Sequence, residues 1–228
     1  LFGRYTTSRA ESNANGNMLS GQFSSTTRHL ITLQEDHIFG PTVVNTARVS
    51  FNRSTGYSAP SQTPGGENLG FAPGVPLGEI VVGTQLSNIG PASIGIVDDT
   101  QNTFQYEDAV TYTRGNHTMK FGAMAQRFQW NTDNPAFWQG QFSFPDLATM
   151  LRLGNASATY RLPISSTNRG LRTWLMAFYG QTDYRMTPNL TLNLGLRWEF
   201  TTGVSEVNNN ISYLARGPIV STPADLTK

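Results

Sequence analysis

Between Leu190 and Phe200 the chain alternates without interruption. Leu190, Leu192, Leu194, Leu196, Trp198 and Phe200 fall on one side, and Thr191, Asn193, Gly195, Arg197 and Glu199 on the other. Successive side chains of a strand point to opposite faces, so the pattern predicts a β-strand with one apolar and one polar face. Eleven residues at about 3.3 Å each, tilted by about 45°, rise roughly 25 Å, which is about the height of the apolar band of a transmembrane barrel. Strands of soluble sheets usually reach about half that length. The two aromatic residues at the end of the apolar face stand where an interfacial girdle lies.

Strand-like stretches recur near 1–7, 26–38, 42–54, 103–113, 117–130, 171–186 and 190–201. Ala47, Val49 and Phe51 alternate with Arg48, Ser50 and Asn52. Phe104, Tyr106, Val110 and Tyr112 form another apolar face, broken by Asp108. Met119, Phe121, Ala123 and Ala125 form a third, and Trp174, Met176, Phe178 and Tyr184 a fourth. Tight turns are predicted at Gly40-Pro41, Gly115-Asn116 and Pro188-Asn189, because Gly and Asn tolerate positive φ and Pro presets the first turn angle. The other connections are long: 8–25, 55–102, 131–170, and 203 onward. Strict alternation of short and long connections is the asymmetry of outer-membrane barrels, with short periplasmic turns and long extracellular loops. Compact soluble domains rarely carry two such long loops. The expected fold class is therefore all-β, part of a large antiparallel transmembrane β-barrel.

Composition agrees with this picture. Charged residues are 14% of the chain, against about 25% in ordinary soluble domains, and Thr, Asn, Ser and Gly fill the gap. The mean hydropathy of −0.33 suits a barrel as well as a soluble protein, since half of each strand faces water. A net charge of +1 leaves no basic patch for nucleic acid. Without cysteine, a disulfide framework and thiolate metal sites are excluded. No apolar run has the length of a membrane helix. Leu1 opens directly in a strand, and residues 218–228 form a polar tail, so both ends are expected to be cuts from a longer protein.

Alternation assigns Arg48, Lys120, Gln181, Asp183, Arg185, Arg197 and Glu199 to the wet interior, because an Arg or Lys against lipid at mid-membrane costs about 2–4 kcal/mol. The alternative on patterning alone is the solvated face of a soluble β-sandwich binding carbohydrate or protein. Within the loops, Glu79–Gly83 and Gln141–Phe144 read as short strands. Asp146–Leu153 reads as one or two helical turns stopped by Gly154. Tyr57, Phe71, Phe137, Trp138 and Tyr160 are placed in long loops, where they either contact an extracellular ligand or pack the loops together.

No enzyme chemistry is legible. Glu35-Asp36 and Glu107-Asp108 are strand neighbours and face opposite sides. Asp98-Asp99 is placed in a loop, either as a solvated turn or as a cation contact. His29 and His37 stand about 26 Å apart along one strand, too far to share a metal. Neither a Ser-His-Asp set, an HExxH motif nor a P-loop occurs. No catalytic residue, metal site or cofactor is expected.

The segment Phe178–Phe200, FYGQTDYRMTPNLTLNLGLRWEF, resembles a barrel hairpin of TonB-dependent outer-membrane receptors, most of all the Oar-like branch. Val44–Arg53, Tyr112–Gly122 and Gly140–Phe144, followed by Leu147–Gly154, agree in order and spacing along most of residues 28–213. Thr182 stands where the hairpin's usual acidic residue follows Gln, although Asp183 comes next. The resemblance implies that residues 1–228 are about a third of a barrel of about twenty-two strands in the bacterial outer membrane. It implies that the plug and remaining strands lie outside this chain. The implied partners are outer-membrane lipid, the protein's own plug, the TonB complex and an unidentified extracellular ligand. A porin or adhesin barrel without TonB coupling is the third reading.

Overall fold

In the computed structural model the described residues are 1–15, 19–62, 69–84, 86–93, 96–162 and 165–210. The polar tail at 218–228 lies outside them. Seven long strands carry the fold: β1 (Phe2–Asn15), β2 (Ser20–Gly40), β3 (Val43–Gln62), β5 (Val97–Arg114), β6 (His117–Asp133), β9 (Asn168–Thr187) and β10 (Leu190–Thr201). They pair antiparallel in the order β1-β2-β3-β5-β6-β9-β10. The two-residue β11 (Ser205–Glu206) continues the line of β10 along β9. Among the described residues the sheet is open, with β1 and β10 as its edges.

The three tight turns fall where Gly, Pro and Asn predict them, at 41–42, 115–116 and 188–189. Gly115 takes φ 59°, a backbone region that costs glycine little and other residues more. The long connections are shorter than expected. Residues 8–15 and 20–25 are strand, so the connection between β1 and β2 spans only 16–19 and the predicted strict alternation fails there. The connections after β3 and β6 shrink to 63–96 and 134–167. Tyr57 therefore belongs to β3 and Asp98-Asp99 to β5, not to loops. In β5 the two aspartates face opposite sides, which removes the paired-carboxylate reading of a cation contact.

These extensions have a common cause. At up to 21 residues, the strands exceed the roughly 9–11 residues that cross a bilayer. Their outer portions meet water on both faces, so nothing forces hydrophobic alternation there. Backbone pairing holds them: Asn13 opposite Phe23, Tyr57 opposite Asp98, Thr132 opposite Arg169.

Register sorts the side chains into horizontal rows. On one face the row Leu33, Val49, Tyr106, Ala125, Met176 and Phe200 runs across six strands. Towards the long-loop end comes Tyr5, Ile31, Phe51, Phe104, Arg127 and Trp174. Beyond it stand His29, Arg53, Asn102, Gln129 and Arg172. The apolar face lies open: Leu194, Leu196 and Trp198 are 60%, 79% and 60% exposed. A second sheet packed on it, as a sandwich requires, does not occur among the described residues. Glu35, Asn45 and Asp108 interrupt the apolar belt, and Asn45 Nδ2 donates to Asp108 Oδ1 at 2.7 Å. That bond offsets part of the cost of a polar group facing hydrocarbon.

The two long connections build a second sheet of their own. Its strands β4 (Glu79–Val82), β7 (Gln141–Phe144) and β8 (Ser157–Thr159) run in the order β4-β7-β8. The pairing of β4 with β7 is parallel. Helix α1 (Leu147–Leu151) follows β7; the Asp146 carboxylate accepts from Thr149 N at 2.7 Å and caps it, and Gly154 N donates to Thr149 O at 2.9 Å at its end. The short strands and the helical turns match the elements read from the sequence. Leu77, Val82 and Pro91 are buried in this module.

Candidate functional site

The face opposite the exposed apolar belt is rich in charged groups. Register places Arg48, Lys120, Gln181, Asp183, Arg185, Arg197 and Glu199 all on it. Arg48 stands opposite Glu107, Lys120 opposite Gln181, Asp183 opposite Asn193, Arg185 opposite Thr191, and Arg197 opposite Tyr179. Glu199 reaches the same face opposite Ala177. Strand period alone fixes this grouping, because the rows are in register across the sheet.

The face is knitted by long polar side chains. Arg48 Nε and Nη2 donate to Gln34 Oε1 at 3.0 and 2.8 Å, and its Nη1 lies 3.3 Å from Glu107 Oε2. Gln105 Nε2 donates to Glu107 Oε1 at 2.6 Å, and Gln126 Nε2 to Gln105 Oε1 at 3.3 Å. Arg197 Nε donates to Glu199 Oε2 at 3.0 Å. Lys120, Gln181, Asp183 and Arg185 make no side-chain hydrogen bond or ion pair among the described residues. A concavity of about 600 Å³ opens between these groups, lined among others by Arg48, Glu107, Lys120, Tyr179, Gln181 and Arg197. Tyr179 lies across Gly122, where an added Cβ would sit 2.5 Å from the ring. The strand gives up a side chain at Gly122 so that the ring can lie flat along the wall.

This surface offers donors and acceptors of both signs, and among the described residues no three His, Cys, Asp or Glu side chains gather as metal ligands.

The loop aromatics are dispersed. Phe71 packs edge-on against Phe142 at 4.7 Å between centroids, so it holds loops together. Phe137 takes φ 59°, its N–H donating to Ser93 O and its carbonyl accepting from Arg161 N. Trp138 and Tyr160 are exposed on the loop module. Tyr57, in its strand, tilts against Phe23 at 6.3 Å.

Sequence reasoning missed the hub of the loop module. Glu79 is buried, and its carboxylate accepts from Asn88 Nδ2 at 2.6 Å, Ser93 N at 3.0 Å, Ser93 Oγ at 2.7 Å and Gln141 Nε2 at 2.8 Å. Burial by itself raises the carboxyl pKa, but these donors outweigh it and hold Glu79 below its ordinary 4.5. Glu206 plays a similar part beside β9: it accepts from the backbone N–H groups of Asn210 at 2.7 Å, Gly170 at 2.8 Å and Asn208 at 2.8 Å, which lower its pKa. A single Glu before an apolar triplet gives no sequence signal for this role; its four donors come from three distant positions.

No curated protein and no solved structure matches the chain. The family model described as "Outer membrane beta barrel domain" matches residues 1–223. The exposed apolar face, the charge-rich opposite face and the tight turns set against long loops agree with a wall in the bacterial outer membrane. The chain belongs to the outer membrane beta barrel domain family.

Proposed function

We propose that this chain is part of the barrel wall of a TonB-dependent transporter, which takes up an extracellular ligand by energy-coupled movement of a plug. The observation that carries the reading is the charged face. Arg48, Lys120, Asp183, Arg185, Arg197 and Glu199 line it, with unpaired donors and acceptors round the 600 Å³ concavity. A polar plug would find partners there, and its withdrawal would leave a solvated passage. The likeness of Phe178–Phe200 to the Oar-like receptor hairpin supports the same reading. The wall performs no covalent chemistry in it.

Two measurements on the full-length protein test this. The purified periplasmic domain of TonB is expected to bind it, and planar bilayers holding it are expected to pass little KCl current because the barrel is plugged. A large steady conductance without TonB binding would overturn the proposal in favour of an open porin.

The lumen assignment has its own test. These 228 residues hold no cysteine, so a cysteine introduced among them reports its own facing against the unsubstituted protein. A water-only maleimide is expected to label Arg197→Cys and to spare Leu196→Cys in intact membranes. The reverse pattern would exchange the two faces.

A further inference from the structure

The outward face changes character within one register row. Up to the row of Phe51, Phe104, Arg127 and Trp174 it is mostly apolar and aromatic; the next row holds Arg53, Asn102, Gln129 and Arg172. Phe51 and Phe104 are 4.9 Å apart between centroids. The guanidinium of Arg127 lies 5.0 Å from the centroid of the Trp174 ring. Aromatic rings and snorkelling cations are the groups that settle where hydrocarbon gives way to headgroups. This row lies towards the long loops, so the boundary is that of the outer leaflet.

Three guanidiniums stand at the boundary without an acidic partner. Arg53 Nη1 donates to Asn102 Oδ1 at 3.4 Å. Arg172 donates to Leu171 O at 2.8 Å, Trp130 O at 3.4 Å and Asn131 Oδ1 at 2.8 Å. Arg127 rests on Trp174. Among the described residues none of the three lies within ion-pairing distance of a carboxylate, whereas Arg9, Arg48 and Arg197 each do. The outward carboxylates Asp98 and Asp133 stand two rows further from the apolar belt than Arg53 and Gln129. Arg53 and Arg172 are separated by three inter-strand spacings, about 14 Å, and Arg127 sits one row below on the strand next to Arg172. Asp98 and Asp133 line one concavity with Arg53 without ion-pairing to it, and the positive charge is spread over about the width of a lipid headgroup or two. Guanidinium is the cation best matched to phosphate, offering paired N–H donors in a fixed fork.

We propose that Arg53, Arg127 and Arg172 form a binding site for the phosphates of an outer-leaflet lipid. The acyl chains lie down the Phe51–Phe104–Trp174 surface and the phosphates bridge the guanidiniums above it. The inference uses only the outer-membrane placement of the sheet and is independent of TonB coupling.

The test uses the full-length protein in neutral detergent, titrated with lipid A and with fully dephosphorylated lipid A, with bound lipid counted by native mass spectrometry. Lipid A is expected to bind at least about tenfold more tightly than the phosphate-free form, and millimolar inorganic phosphate is expected not to displace it. The triple variant Arg53→Gln, Arg127→Gln, Arg172→Gln is expected to lose that preference while still migrating as a folded, heat-modifiable barrel. Equal binding of the two lipids by the wild type would overturn the proposal whether or not the variant folds. So would an undiminished preference in the folded variant. Displacement by inorganic phosphate would mean a free-anion site and equally overturn it.

Discussion

Leu194→Arg is expected to destabilise the assembled barrel by about 2–4 kcal/mol. Leu194 points outward in the middle of β10, opposite Thr182 and between Leu192 and Leu196, where its neighbours offer a guanidinium no acidic partner. Asn193→Arg, one residue away, faces the charged side opposite Asp183 and is expected to change stability by no more than about 0.5 kcal/mol, as an ordinary wet-surface substitution does. Urea titration of the full-length protein refolded into vesicles reads both. The contrast between neighbours matters more than either value, because chain position, strand and propensity are shared and only the facing differs. Equal losses would mean that β10 does not separate lipid from water.

The second large effect is expected at Glu79. Glu79→Ala removes the acceptor for Asn88, Ser93 and Gln141 at once, and buried donors left without a partner cost about 1–3 kcal/mol each. A loss of about 3–5 kcal/mol confined to the loop module is expected, since β4, β7 and β8 form a sheet separate from the barrel wall. Hydrogen exchange should accelerate at Ile80, Ile89 and Gly83, whose amides close the module, while exchange in β5 and β6 stays slow. Acid should reproduce the effect in the wild type. The folded carboxyl titrates below the ordinary 4.5, so its stabilisation is complete above that value and drains away as pH falls through the lower folded one. The module is therefore expected to be insensitive to pH near neutrality and to loosen below about 4.5.

The parts of the fold that were legible in the sequence are those where lipid acts on one face. Leu190–Phe200 declares its strand, its length and its facing because every second residue must be apolar. The tight turns were legible too, since Gly40-Pro41, Gly115-Asn116 and Pro188-Asn189 each carry turn chemistry. Residues 8–15 and 20–25 were hidden for the opposite reason. Polar residues such as Ser, Asn, Gln, Arg and Glu occupy both sides of these strands, which stand in water, and only the neighbouring backbone shows that they are strands. Tyr57 and Asp98-Asp99 were displaced from loop to strand by the same effect. In the candidate site, register puts Arg48, Lys120 and Arg197 on one face, as alternation does, but alternation does not say which of them pair: the Gln34–Arg48–Glu107 chain depends on cross-strand register. The Glu79 hub joins residues from 79 to 141, a separation that no local pattern bridges.

Among the described residues the two unpaired margins of the sheet impose a parity rule. Neighbours alternate in direction, so β1 and β10, at opposite ends of seven strands, both climb from the periplasm to the exterior. They cannot be joined to each other in antiparallel fashion, and lipid does not tolerate raw backbone at a seam. Whatever completes the cylinder must therefore contribute an odd number of further staves, the first and last of them descending.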